Sequence, residues 1–198
     1  DISGGWGVTG NTAVDLMADT GTLAFVLNNQ NDEYIPGHTS SLAGWNKNTP
    51  IRLTITFEGE AHVYRFYVSA LGVTSEKFSR KFVQVGCVDW MDYAAKYPLI
   101  SPSIQTDKRA DEAITTIVSG MPIAPQAESY EIGQETFLTV FDATTPKTRA
   151  YSEISKNVFS ELGYFYVQKD KVNGETLRFE DRHYRNGLRT LDQIPTTT

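Results

Sequence analysis

The sequence has little of what would commit it to several kinds of chemistry. Among 198 residues there is one cysteine, Cys87, so an intrachain disulfide framework is excluded. Cys87 sits in KFVQVGCV, a β-type run where a small apolar side chain fits, and it reads as a buried core thiol rather than a nucleophile. The three histidines, His38, His62 and His183, lie far apart and none has the spacing of a zinc site, so they read as surface or strand-edge residues. No stretch approaches the roughly 20 apolar residues that a membrane-spanning helix needs. Lys and Arg number 18 against 24 Asp and Glu, a net charge of −6, which argues against broad binding to nucleic-acid phosphates. There is no GxSxG, no phosphate-cradling glycine loop ending in Lys-Ser/Thr, and no dinucleotide fingerprint. The residues therefore point to no enzyme, no metal and no cofactor.

What the chain does have is aromatic and β-forming residues: 12% aromatics and 40% hydrophobics, enough for one large core or two small ones. Residues 1 to 19 read as an irregular lead-in with room for an edge strand, anchored by Trp6 and Val8. From Gly21, Leu23, Phe25 and Leu27 alternate with Thr22, Ala24 and Val26, the period of a strand with one face in a core. The strand empties into NNQNDEYIPG, where Pro36-Gly37 blocks any continuation. The oxygens of NNQNDE could ligate calcium, but the glycine and terminal glutamate of an EF-hand loop are absent. Capping through side-chain to backbone hydrogen bonds is the stronger reading, with calcium at Asn28 to Glu33 left as the alternative.

After a connection pinned by Leu42 and Trp45, Ile51, Leu53, Ile55 and Phe57 alternate with polar residues. Glu58-Gly59-Glu60 turns the chain, and Tyr64, Phe66 and Val68 share one side of the return strand. A further strand runs from about Arg80 to Val88, and Asp89 caps a short helix in WMDYAAKY. The prolines at 98 and 102 mark a domain boundary. Beyond it the period becomes helical: Asp107 caps a helix whose stripe is Ala110, Ala113, Ile114, Ile117 and Val118, and Gly120 stops it. Met121 to Glu131 reads as a connector and Thr136 to Phe141 as a short strand. A second helix starts near Thr148 and buries Tyr151, Ile154, Val158, Phe159 and Leu162 before Gly163. YFYVQKD and ETLRFED then form a hairpin through Asn173-Gly174. Glu180 and Asp181 point to opposite faces of a strand and read as charged strand-end decoration rather than an acid/base pair.

The expected fold is mainly β with α+β: a β-barrel or sandwich-like domain over 1–97, a smaller α+β domain of two helices and an antiparallel hairpin sheet over 98–190, and a linker over 191–198. The chain opens on Asp1 and ends on Pro-Thr-Thr-Thr, so it reads as a piece of a longer protein.

The run AYSEISKNVFSELGYFYVQKDKVNGETLRFEDR resembles the helix, glycine, aromatic hairpin and acidic-Arg ending of minor tail and baseplate-hub proteins of long-tailed phages and prophages. DTGTLAFVLNNQNDEYIPG, PIRLTITFEGEAHVYRFYVSALG and VQVGCVDWMDYAA follow the same family's order, with the hairpin's glycine displaced to Gly72. The resemblance implies a structural virion component, built in the bacterial host cytoplasm, whose two domains form a homo-oligomeric ring at the tip of the tail tube. Its partners would be the tube and other tail proteins, and it would carry no active site here. Asn28, Asn31, Asp32, Tyr34 and Trp45 are the interface candidates, with Trp6 and Tyr64 as further contact aromatics. The competing class is a carbohydrate-binding or host-recognition module, which requires exposed coplanar aromatics.

Overall fold

The computed structural model describes residues 1–7, 15–75, 81–100, 102–168 and 173–184. Val8, the strand start at Arg80 and the linker at 191–198 lie outside the described residues.

The alternation in the first half does produce strands, and they form one antiparallel five-stranded sheet. Its members are β1 (Ile2–Gly7), β2 (Asp19–Asn28), β3 (Pro50–Phe57), β4 (Glu60–Ser75) and β5 (Lys81–Val88), in the order β1-β2-β5-β4-β3. The irregular lead-in is thus an edge strand. Hairpin β3–β4 closes with Phe57 opposite Glu60, and Glu58 and Gly59 both take positive φ (50° and 81°), as a two-residue turn of primed type requires. β4 runs on past Ser69 through an irregularity between Val68 and Ala70, which restores the alternation beside β5 and places Gly72 opposite Gln84. The expected barrel is not closed: among the described residues β1 and β3 are edges, so the sheet is open.

One face of this sheet carries Leu23, Phe66, Val68, Val83, Val85 and Cys87 as its buried core, with Tyr34 and Trp45 packed on it from the 29–49 loop. A second core gathers α1 (Trp90–Lys96), α2 (Ala110–Ser119), α3 (Ala150–Glu161) and a small sheet. That sheet has the order β7-β10-β9, with β7 (Ala127–Tyr130) parallel to β10 (Thr176–Glu180) and β9 (Tyr164–Gln168) antiparallel to it. β7 emerges from the stretch read as a connector. Its strand character comes from pairing with a segment some 50 residues later, which no local signal announces.

Two expected helix features are corrected. Asp107 does not cap α2: it lies in β6 (Gln105–Arg109), paired with β8 (Thr136–Val140), and Arg109 is the N-cap. The pairing with β8 carries the strand on to Arg109, past an Asp107 at φ 54°, and Glu112 closes the turn by accepting from the Arg109 backbone N–H at 3.0 Å. In α3 the buried stripe is Ala150, Glu153, Ile154, Asn157, Val158 and Glu161, rotated by one residue from expectation, so Phe159 (44%) and Leu162 (60%) are exposed. Polar residues take the inner face because the fold supplies their partners. Glu161 accepts from the backbone N–H groups of Gln134 and Glu135, both at 3.0 Å.

Leu162 ends α3 in the left-handed region, and Gly163 then passes hard against β10. A Cβ on Gly163 would stand 2.5 Å from the Glu180 carbonyl oxygen and 2.8 Å from the Phe179 ring. Backbone and a buried ring cannot both retreat, so Gly163→Ala is expected to cost about 2 to 3 kcal/mol, read as a lower urea midpoint at unchanged slope.

Candidate functional site

The asparagine-rich loop after β2 is ordered by its own side chains. Asn29, buried, accepts from the Tyr34 backbone N–H at 2.9 Å, and the Trp45 indole N–H donates to the Tyr34 carbonyl at 3.0 Å. The rings of Tyr34 and Trp45 meet edge to face at 5.4 Å. Asp32 takes the Lys81 ammonium on both oxygens, at 2.6 and 2.8 Å. A cation already sits on the loop's central carboxylate, and among the described residues no group of three or more His, Cys, Asp or Glu converges as a metal site. Of the interface candidates, Asn28 and Asn31 are exposed, whereas Asp32, Tyr34 and Trp45 are half-buried and spend much of their surface inside the loop. Tyr64 is in the core, while Trp6 remains part-exposed above it at 4.4 Å.

The larger exposed feature is the pair of sheet edges. Arg65 donates its backbone N–H to the Gly174 carbonyl (3.1 Å), away from β3, so Arg52 opposite it turns its own N–H and C=O outward. By the same period Thr54 and Thr56 also address the open side of β3. On β2, the Gly21 carbonyl accepts from Asp89 on the β5 side, so Thr22 and Ala24 serve β1, and Ile2 and Gly4 face outward on that edge. Ile2, Ile55 and Phe57 are exposed apolar side chains on these same two strands. The sequence allows an edge strand in the lead-in, which is β1, but the edge status of β3 is not among its expectations. Pro50 at the start of β3 was the signal available, since proline is confined to edges and strand starts.

A buried acidic pair lies where the first sheet meets the β9–β10 hairpin. Asp89 caps α1 by accepting from the Met91 N–H at 3.0 Å, and Gly21 is obligatory beside it because a Cβ there would stand 2.4 Å from its Oδ2. Glu175 is fully buried; its Oε2 accepts from the Tyr67 hydroxyl at 2.8 Å and from the Gln126 N–H at 3.3 Å, and its Oε1 has no partner. Burial pushes both carboxyls up to about 7, helped at Asp89 by the Glu175 charge. Glu180 and Asp181, expected as surface decoration, are also buried: Glu180 accepts from the Tyr166 hydroxyl at 2.6 Å, and Asp181 from Gln134 Nε2 at 2.7 Å.

An antiparallel sheet that is open among the described residues, joined to an α+β layer, is a fold also found in tail proteins. The chain is similar to the 43 kDa tail protein of prophage MuSo2 from Shewanella oneidensis, with TM-score 0.56 and 10% identity over 85% of this chain and 48% of that one. It is similar also to the tail protein from Neisseria meningitidis MC58, with TM-score 0.52 and 10% identity over 81% of this chain and 41% of that one. The chain thus spans less than half the length of either relative. No protein-family model matches the sequence, and no curated protein does. No described helix is long and apolar enough to cross a membrane.

Proposed function

We propose that this chain is a structural component of a phage or prophage tail tip, part of a baseplate hub that assembles by protein contacts at the end of the tail tube and performs no catalysis. The observation that carries the reading is the open sheet with two edges unpaired among the described residues, in a fold shared with two tail proteins, one of them from a prophage. Successive antiparallel pairings leave β1 and β3 running in the same direction. The β3 edge of one copy therefore meets the β1 edge of the next head to tail, the heterologous contact that a ring repeats. The exposed loop residues Asn28 and Asn31 adjoin this contact, and the tube and other tail proteins are the further partners, in a virion tail built in the host cytoplasm. Two units, 1–97 and 98–190 with 191–198 as linker, belong to the same proposal. The sugar-binding alternative needs coplanar rings, and the aromatic pairs in contact cross at 52° to 76°.

Thr54→Pro is the direct test. Its N–H is not used by β4, so the fold tolerates the change while the edge loses a donor. Electron microscopy of the purified chain is expected to show rings that Thr54→Pro abolishes and that Asn28→Ala/Asn31→Ala weakens. Rings unaffected by Thr54→Pro would overturn the edge contact, and a wild-type chain that stays monomeric at high concentration would overturn the ring.

A further inference from the structure

A cleft between the first sheet and the β9–β10 hairpin is not used by the β1–β3 edge contact proposed for assembly. β5 ends at Val88, so β4 loses its neighbour on that side at residues 61–66, and Gly174 covers part of the bared edge. Trp6 covers another part, its ring 4.4 Å from Tyr64 and 6.2 Å from Phe66. Between these covers lies a cleft of about 330 Å³, lined by Trp6, Tyr64, Phe66, Tyr166, Arg65 and Asp89 among others. Ligand pockets begin at about 300 Å³, so the space suits one side chain or small molecule and no oligomer.

The lining carries both Asp89 and Arg65, but the two charges are not paired with each other. Asp89 accepts from backbone N–H groups, no described residue forms a salt bridge with it, and the side-chain charge acting on it is Glu175, of its own sign. Arg65 acts instead on Glu175 and Tyr67. A buried carboxyl group with no salt-bridge partner among the described residues, lining one cleft with several aromatic rings, leaves one kind of group to be supplied. We infer that the cleft binds an organic cation, an alkylammonium or guanidinium group, held by the rings of Trp6, Tyr64, Phe66 and Tyr166 and by the carboxylate of Asp89. The cation is either a basic side chain of a neighbouring polypeptide or a free small amine.

The test is titration of the whole chain, followed through the Trp6 indole N–H in nitrogen-15 correlated NMR spectra, with n-butylammonium and with N-acetyl-lysine methylamide as probes. Saturable shifts with either probe support the inference: response to the blocked lysine alone assigns the source to a polypeptide, and to butylammonium alone, to a free amine. Asp89→Asn, which retains the helix cap, is expected to weaken binding about tenfold, and Trp6→Leu about threefold. Affinity should rise about tenfold from pH 6 to pH 8 as Asp89 ionises, and the measurement is repeated in Glu175→Gln because Glu175, with Arg65, Tyr67 and Tyr93 around it, titrates in the same window. No shift with either probe, an equal response to n-butanol, or unchanged binding in Asp89→Asn would overturn it. The readout needs no assembly, so absent rings and absent binding fail separately.

Discussion

Trp90→Ala is expected to lower the free energy of unfolding by about 3 to 5 kcal/mol, the range for truncating a large buried aromatic side chain. Trp90 is fully buried at the first position of α1, in the core that also holds α2, α3 and β9. Its indole N–H donates to the Ile123 carbonyl at 2.9 Å, tying α1 to the segment ahead of β7. Truncation removes the packing, opens a cavity and strands that carbonyl. Trp90→Phe keeps most of the volume and loses the hydrogen bond, so it should cost less, about 1 to 3 kcal/mol. Urea unfolding of the two variants separates the terms. A loss below about 1 kcal/mol for Trp90→Ala would mean that α1 is not integral to this core.

Stability is expected to fall as pH rises from about 4.5 to 7 and then level off, the reverse of ordinary acid denaturation. Asp89 and Glu175 hold their protons in the folded chain up to about 7, whereas the unfolded chain releases them near the usual carboxylate range. Between those limits the folded state binds more protons, so raising the pH draws the equilibrium towards the unfolded state. A carboxyl displaced this far contributes about 3 to 4 kcal/mol to the total fall across the window, and because the two acids interact their increments do not simply add. Glu175→Gln removes its share: it should gain stability relative to wild type at pH 8 and lose that advantage at pH 5. Asp89→Asn should do the same, and the double variant should be nearly flat across the window. Denaturant midpoints between pH 4.5 and 8.5 supply the measurement. A wild-type curve that rises over this interval would place these carboxyls outside the buried junction.

How far the sequence could be read depended on how local each feature is. The β3–β4 hairpin was legible because alternation of Ile51, Leu53 and Ile55 with threonines, followed by Glu58-Gly59, specifies strand and turn within ten residues. The cap of α1 by Asp89 and the stop of α2 at Gly120 were legible for the same reason. Capping of the asparagine-rich loop was also legible, since Asn29 and Tyr34 are five residues apart. The α3 face was misread because a carboxylate such as Glu161 belongs outside by composition. It lies inside because backbone donors at Gln134 and Glu135, 26 to 27 residues earlier, meet it there.

Taken alone, then, the residues determined β2, the β3–β4 hairpin, β5, β8 and the β9–β10 hairpin, two of the three helix caps' neighbourhoods, the net acidity and the lack of any recognisable catalytic motif, since periodicity and turn chemistry act over a few residues. Folding in three dimensions decided the rest: that the first sheet stays open at β1 and β3, that 127–130 becomes a strand, and that Asp89 and Glu175 share one buried junction. Those outcomes depend on which distant segments come to lie side by side. Pairing across 49 residues or a hydrogen bond across 108 is set by the packing of whole layers, and leaves no periodic trace in either partner.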